Sequence, residues 1–187
     1  MELGQIAELI MGVLVSREAK EDGIYTYSLF NIKNYETEQE ENEIIQTTRP
    51  LFDKLTRQDD IIFRLVCPNK MFYVSDKKFE NKLISSHFCV IRANKEMIDP
   101  VFLKWYLEYG DGKNELKSNT TGSTVKKITM NDLRKITIPN INIETQRKLK
   151  DLILLWEREK KVLKEIVEKK DVLYNGIIEE IIDKENN

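Results

Sequence analysis

The sequence predicts an α+β fold: a mixed-sheet domain over residues 1–142, followed by one long coiled-coil-type α-helix over residues 143–187. Runs rich in β-branched and aromatic residues at 23–32, 61–67 and 83–92 read as strands. Asp99 followed by Pro100 reads as an N-cap and first-turn proline, so helices and strands share the domain. From 144 to 183 there is no proline, Gly176 is the single glycine, and apolar residues recur at steps of three and four. That spacing paints one stripe along a helix.

In chain order, residues 5–11 (QIAELIM) read as a short helix stopped by Gly12. The strand at 23–32 (GIYTYSLFNI) is followed by a polar stretch over 33–42 and a short strand at 44–48. A charged turn at 57–60 leads into the strand at 61–67 (IIFRLVC), which Pro68 ends. Residues 71–74 then pair back on it across Pro68, Asn69 and Lys70. A further strand covers 83–92 (LISSHFCVIR), and a helix covers 101–109 until Gly110, Asp111 and Gly112 end it. Residues 118–124 (SNTTGST) form a small polar loop. Asn131 and Asp132 cap a short turn before 135–138, Pro139 breaks the chain, and the long helix begins after Ile143.

The 187 residues are 41% hydrophobic and 33% charged, with mean hydropathy -0.47, which describes a soluble protein with room for a packed core. No apolar run approaches the roughly 20 residues of a membrane span, and the N-terminus lacks a signal-peptide layout, so a cytoplasmic protein is expected. Cys67 and Cys89 have no metal-site spacing and read as reduced core thiols. The net charge of -2 is unevenly spread. Glu36, Glu38, Glu40, Glu41 and Glu43 crowd one segment, a solvated acidic loop, whereas residues 113–135 carry a net +4.

Catalytic constellations are missing. The single histidine, His87, falls inside an apolar strand pattern, where a packed histidine is expected rather than a base. There is no phosphate-cradling G-x-x-x-x-G-K-[ST] loop, no G-x-G-x-x-G after a strand, and no Asn-Pro-Pro-aromatic or Asp-Pro-Pro-aromatic tetrapeptide of amino-methyltransferases. Glu168-x-Lys170 mimics part of a nuclease triplet but sits on the long helix with no upstream strand aspartate. No metal or cofactor is expected.

Two features remain. The first is the segment from Lys113 through Lys117, Asn119, Thr120, Thr121, Gly122, Ser123 and Thr124 to Lys126 and Lys127. Hydroxyl, amide and ammonium groups beside a glycine are the groups that hold phosphates; a plain solvated loop has the same composition, and the residues alone leave both open. The second is the helical stripe, with Leu152, Trp156, Leu163, Ile166, Val167, Leu173, Ile177 and Ile181 as dimerisation candidates. About 40 helical residues span roughly 60 Å, more than a small domain covers, so a second copy of the chain is the expected partner.

The order of segments resembles the target-recognition domain of the DNA specificity subunit of type I restriction-modification systems. Residues 2–12 (ELGQIAELIMG) resemble that family's Leu-Gly-x-Ile-Ala opening, and 55–62 (LTRQDDII) its Gly-Asp-Ile-Leu strand entry, with Gln58 and Asp59 in place of lysine-glycine. Residues 98–109 resemble its short leucine- and tyrosine-rich helix. Residues 122–128 (GSTVKKI) and 130–133 resemble Gly-Ser-x-x-x-x-Ile followed by x-x-Asp-Leu. Residues 136–146 (ITIPNINIETQ) resemble the isoleucine-proline segment that ends in Glu-x-Gln, with Asn140 where a second proline is frequent.

The resemblance implies a non-catalytic module that reads double-stranded DNA, with methyltransferase (M) subunits supplying the chemistry and restriction/translocase (R) subunits joining them. A full subunit of that family has two recognition domains and two spacer helices, so one of each implies a half-subunit working as a homodimer on an interrupted palindrome. Lysines around Gly122 would hold phosphates, and Asn34, Thr47, Arg49 and Lys70 are candidates for base contacts. The competing readings are a coiled-coil adaptor with no DNA role and the severed recognition domain of a larger methyltransferase.

Overall fold

The computed structural model describes residues 1–37, 43–122 and 126–185. It comprises two compact units, Met1–Arg147 and Lys148–Asn187. The fold is α+β with mixed sheets and a long C-terminal helix, as the sequence predicts.

The first unit opens on a single helical turn, α1 (Leu3–Ile6), closed by a reciprocal cap between Glu2 and Gln5. The chain then extends into strand β1 (Ala7–Met11) rather than continuing the helix expected for 5–11. Alanine, glutamate, leucine and methionine favour a helix, but here pairing with a distant strand overrides local propensity. A one-turn helix, α2 (Val15–Glu18), precedes β2 (Tyr25–Leu29), and α3 (Ile32–Thr37) occupies the first half of the expected polar stretch. Residues 38–42, and with them most of the expected acidic loop, lie outside the described residues.

Strand β3 (Ile44–Thr47) follows, then β4 (Ile61–Arg64) and β5 (Met71–Tyr73), which form the expected hairpin, with Ile61 opposite Tyr73. The run at 83–92 is two strands, not one: β6 (Lys82–Leu83) and β7 (Phe88–Ala93), separated by a turn in which Phe88 N donates to Ser85 O at 2.9 Å. Among the described residues the strands make a four-stranded antiparallel sheet, β1-β7-β4-β5, and a three-stranded sheet, β3-β2-β6, in which β2 and β6 run parallel. Gly12 permits the crossing between them. A Cβ there would stand 2.1 Å from the Ser85 carbonyl oxygen, an approach that no larger residue tolerates.

One face of the larger sheet buries Ile10, Ile62, Phe72, Phe88 and Val90 beneath Phe30. Phe30, Tyr35, Phe72 and Phe79 meet edge-on or tilted, with Phe30 and Phe72 centroids 5.5 Å apart and Tyr35 and Phe79 centroids 4.8 Å apart. The smaller sheet buries Tyr27, Leu29, Ile45 and Leu83 around Leu51, whose N–H donates to the Tyr27 hydroxyl at 2.8 Å.

Helix α4 (Pro100–Tyr109) packs against β5 and β7 and starts as expected, with Asp99 Oδ1 accepting from the N–H groups of Val101 and Phe102. A second helix, α5 (Asp111–Ser118), follows directly, so the glycines at 110 and 112 mark a corner rather than a loop. Helix α6 (Met130–Arg134) is capped by Thr129, not by Asn131 or Asp132: the Thr129 hydroxyl accepts from Asp132 N.

Two buried polar clusters pin the unit together. Asp60, 1% exposed, receives two hydrogen bonds from Arg92 at 2.8 and 2.9 Å and a third from Arg57 N at 2.7 Å. Arg92 also donates to the Leu55 carbonyl. Gln146, fully buried, accepts from Asp99 N at 2.9 Å and donates to Ile141 O at 2.7 Å. Together these satisfy backbone groups between α4 and the segment that follows Pro139.

The final helix, α7 (Ile143–Glu185), runs for 43 residues, roughly 65 Å. The Asn142 side chain accepts from Glu144 N at 2.8 Å and caps its start. Within the second unit, Leu163, Ile166, Val167, Leu173, Tyr174, Ile177, Ile178, Ile181 and Ile182 are all at least 43% exposed. Leu154, Leu155, Val162 and Val172 are exposed as well; at 3.6 residues per turn Leu155 and Val162 border the stripe, whereas Leu154 and Val172 fall on the opposite face. Trp156 carries the Lys160 ammonium 4.5 Å above its ring. No helix of the described residues is long and apolar enough to cross a membrane.

Candidate nucleic-acid interface

The expected phosphate-binding segment is part helix and part closed loop. Lys113 and Lys117 lie on α5, exposed, with the Lys113 ammonium 5.9 Å from the Tyr109 ring. Asn119 caps that helix, and the Thr120 hydroxyl donates to Leu116 O at 2.7 Å. Thr121 and Lys127 then exchange backbone hydrogen bonds at 3.0 and 2.9 Å, which closes a tight loop. Gly122 enters it at φ 120°, a conformation that favours glycine. Ser123 and Thr124 lie outside the described residues.

What fixes this loop is the end of the central strand. Cys67 N donates to Lys126 O at 2.9 Å, and Ile128 N donates to Leu65 O at 3.1 Å. Ile128, 2% exposed, packs into the domain while Lys126 and Lys127 stay exposed. The same stretch of chain reaches two other loops. Arg64 N donates to Lys70 O and Leu65 N to His87 O, each at 2.9 Å. Residues 64–67 therefore tie together three segments: 64–70, 85–88 and 121–128. These segments carry Arg64, Lys70, His87, Lys126 and Lys127, and no aspartate or glutamate. Arg64, Lys70, Lys126 and Lys127 concentrate positive charge where these segments meet, with Glu43 of a neighbouring segment lining the same pocket as His87, and such a concentration suits a polyanion.

Three base-contact candidates belong elsewhere. Thr47 is fully buried and donates its hydroxyl to Arg49 O at 2.7 Å, because the burial alternation of β3 turns it inward. Asn34, 7% exposed, is buried on α3. Arg49 is held by a two-point hydrogen bond with Glu18, at 2.6 and 2.9 Å. That bond holds the Glu18 carboxyl below, and the Arg49 guanidinium above, their ordinary ranges. Lys70 is the one of the four that is exposed at the cationic end.

His87 is exposed on the 85–88 turn rather than packed within a strand. Cys89 is a core thiol that burial pushes up, whereas Cys67 is half-buried, its thiol 3.4 Å from Asn69 Oδ1. Among the described residues no cluster of three or more histidine, cysteine, aspartate or glutamate side chains is arranged to hold a metal ion. Arg64 was not visible as a candidate, since it sits inside an otherwise apolar strand.

Neither a family model nor a curated protein matches the chain. Solved structures do. One comes from a type I restriction-modification system studied for complex assembly and conformational transition, at 20% identity and TM-score 0.63, covering 88% of this chain and 43% of that one. The type I restriction-modification S subunit from M. genitalium aligns at 15% identity and TM-score 0.58, over 90% of this chain and 41% of that one. The HsdS subunit from Thermoanaerobacter tengcongensis aligns at 22% identity and TM-score 0.60, over 87% and 43%. The chain has the fold of type I S subunits. It spans 41% to 43% of the length of these structures.

Proposed function

We propose that this chain is the sequence-recognition subunit of a type I restriction-modification complex, without catalysis of its own. The observation that carries the reading is the set of basic side chains on the segments that residues 64–67 tie together, on a fold shared with S subunits. Residues 1–142 form the DNA-reading domain and residues 143–187 the arm. M subunits dock on the arms and supply methyl transfer from S-adenosylmethionine, and R subunits join them for translocation and cleavage.

Two copies pair through the stripe of Leu163, Ile166, Val167, Leu173, Ile177 and Ile181, with Leu152 and Trp156 at its start. Antiparallel arms would hold the two reading domains apart, as a dyad-related pair on one duplex. The domains read base edges in the major groove while lysines grip the flanking phosphates.

Lys126 and Lys127 act on phosphates. Changing both to alanine should weaken binding about equally on target and on random DNA and lower the slope of log affinity against log salt by up to about 2. Binding titrations at several salt concentrations measure this. Unchanged affinity on both duplexes would leave the segment a solvated loop, and a loss confined to the target would make these lysines base readers.

A further inference from the structure

We propose that Arg64 reads a guanine in the DNA target. The inference rests on the DNA-recognition reading above and assigns the sequence-determining contact within it. Three observations single out this side chain.

The first is its support. Arg64 is the last residue of β4, which lies between β5 and β7, and its backbone is fixed by the bond to Lys70 O and by register with Phe88. Asn69 Nδ2 closes the turn beyond it, donating to Arg64 O at 2.9 Å. A group carried by a central strand is placed more accurately than one on a loop.

The second is its chemistry. Among the described residues the Arg64 guanidinium makes no hydrogen bond and no ion pair, in contrast to Arg49 and Arg92, whose forks are filled by carboxylates. A half-buried guanidinium with its donors unfilled presents a planar fork. That fork matches O6 and N7 of guanine, the commonest specific contact in the major groove.

The third is its surroundings. Lys126 and Lys127 are exposed ammonium groups on a loop that residues 64–67 hold through backbone hydrogen bonds, and groups of this kind take phosphates. Segments 64–70, 85–88 and 121–128 carry no acid of their own, so the charge next to Arg64 along these segments is positive. A strand-borne arginine and loop-borne lysines would divide base reading from backbone gripping.

The test compares the full-length wild type with Arg64→Lys and Arg64→Gln on the selected target duplex, on targets with each G·C pair replaced in turn, and on random DNA. Lysine keeps the charge but lacks the fork. Both variants should bind the target about 10- to 100-fold more weakly than the wild type, bind random DNA nearly as well, and lose discrimination at one G·C position. Arg64→Lys also guards against misfolding, checked by its melting temperature. Target binding by Arg64→Lys at the wild-type level, an equal loss on target and random DNA, or retained discrimination at every G·C position would each overturn the assignment and leave Arg64 as a phosphate contact. A wild-type chain that prefers no duplex would instead reject the DNA-recognition reading itself.

Discussion

Replacing Leu163 and Ile166 with glutamate is expected to leave a 22.1 kDa monomer in light scattering where the wild type runs at twice that mass. Both side chains are exposed on α7, at 55% and 45%, within a run of exposed apolar residues. In a two-fold dimer the double substitution places four carboxylates in the seam. Losing even about 1.5 kcal/mol of apolar burial at each removes roughly 6 kcal/mol, a factor of about 20,000 in dissociation constant. Stranding buried carboxylates adds to the loss. Glutamate is a good helix former, so the arm itself should persist. A wild-type chain that is monomeric at about 50 micromolar would contradict the self-paired arm.

Removing Asp60 should have the largest effect on stability. Its carboxylate is almost wholly buried and is held by the Arg92 fork and the Arg57 N–H. Arg92 spans β7 to the Leu55 carbonyl as well, so the pair joins three segments of the domain. Asp60→Ala leaves a guanidinium, 18% exposed, facing only a backbone carbonyl and the Glu8 carboxylate at 3.7 Å. Breaking such a pair from one side costs about 3–5 kcal/mol, which for a domain of this size lowers the melting temperature by roughly 6–20 °C. Asp53→Ala is the matched control: that carboxylate is 73% exposed, 3.7 Å from Lys54, and its loss should stay within about 0.5 kcal/mol. Denaturant unfolding of the two variants checks both figures, and a loss under about 1 kcal/mol for Asp60→Ala would contradict the role given to the pair.

Features set by neighbouring residues were legible in the sequence. Asp99 and Pro100 open α4 where capping chemistry places it, and Pro68 divides β4 from β5. The spacing of apolar residues after Ile143 delivers α7 with its stripe. Features set by distant partners were not. Ala7–Met11 is a strand because β7, some eighty residues on, pairs with it. Residues 83–92 look continuous because Leu83 and Cys89 are equally apolar, although they serve different sheets.

The site shows the same division. Lys126 and Lys127 announce themselves beside Gly122. The pairing of Arg49 with Glu18, 31 residues away, and the burial of Thr47 depend on the assembled domain. Among the described residues the open fork of Arg64 likewise depends on where the carboxylates of other segments fall in the assembled domain.

Selection of bound duplexes from a random pool distinguishes sequence-specific recognition of DNA by a self-paired chain from its alternatives. Purified wild-type protein should enrich one motif. That motif should hold two identical half-sites in inverted orientation, because dyad-related domains present identical reading surfaces. Their centres should lie about one helical turn apart, roughly 10 base pairs, with bases between them free in identity and fixed in number. Retention should fall steeply as salt rises. An asymmetric or continuous motif would contradict self-pairing, and a pool that emerges unenriched even at low salt would contradict DNA recognition altogether.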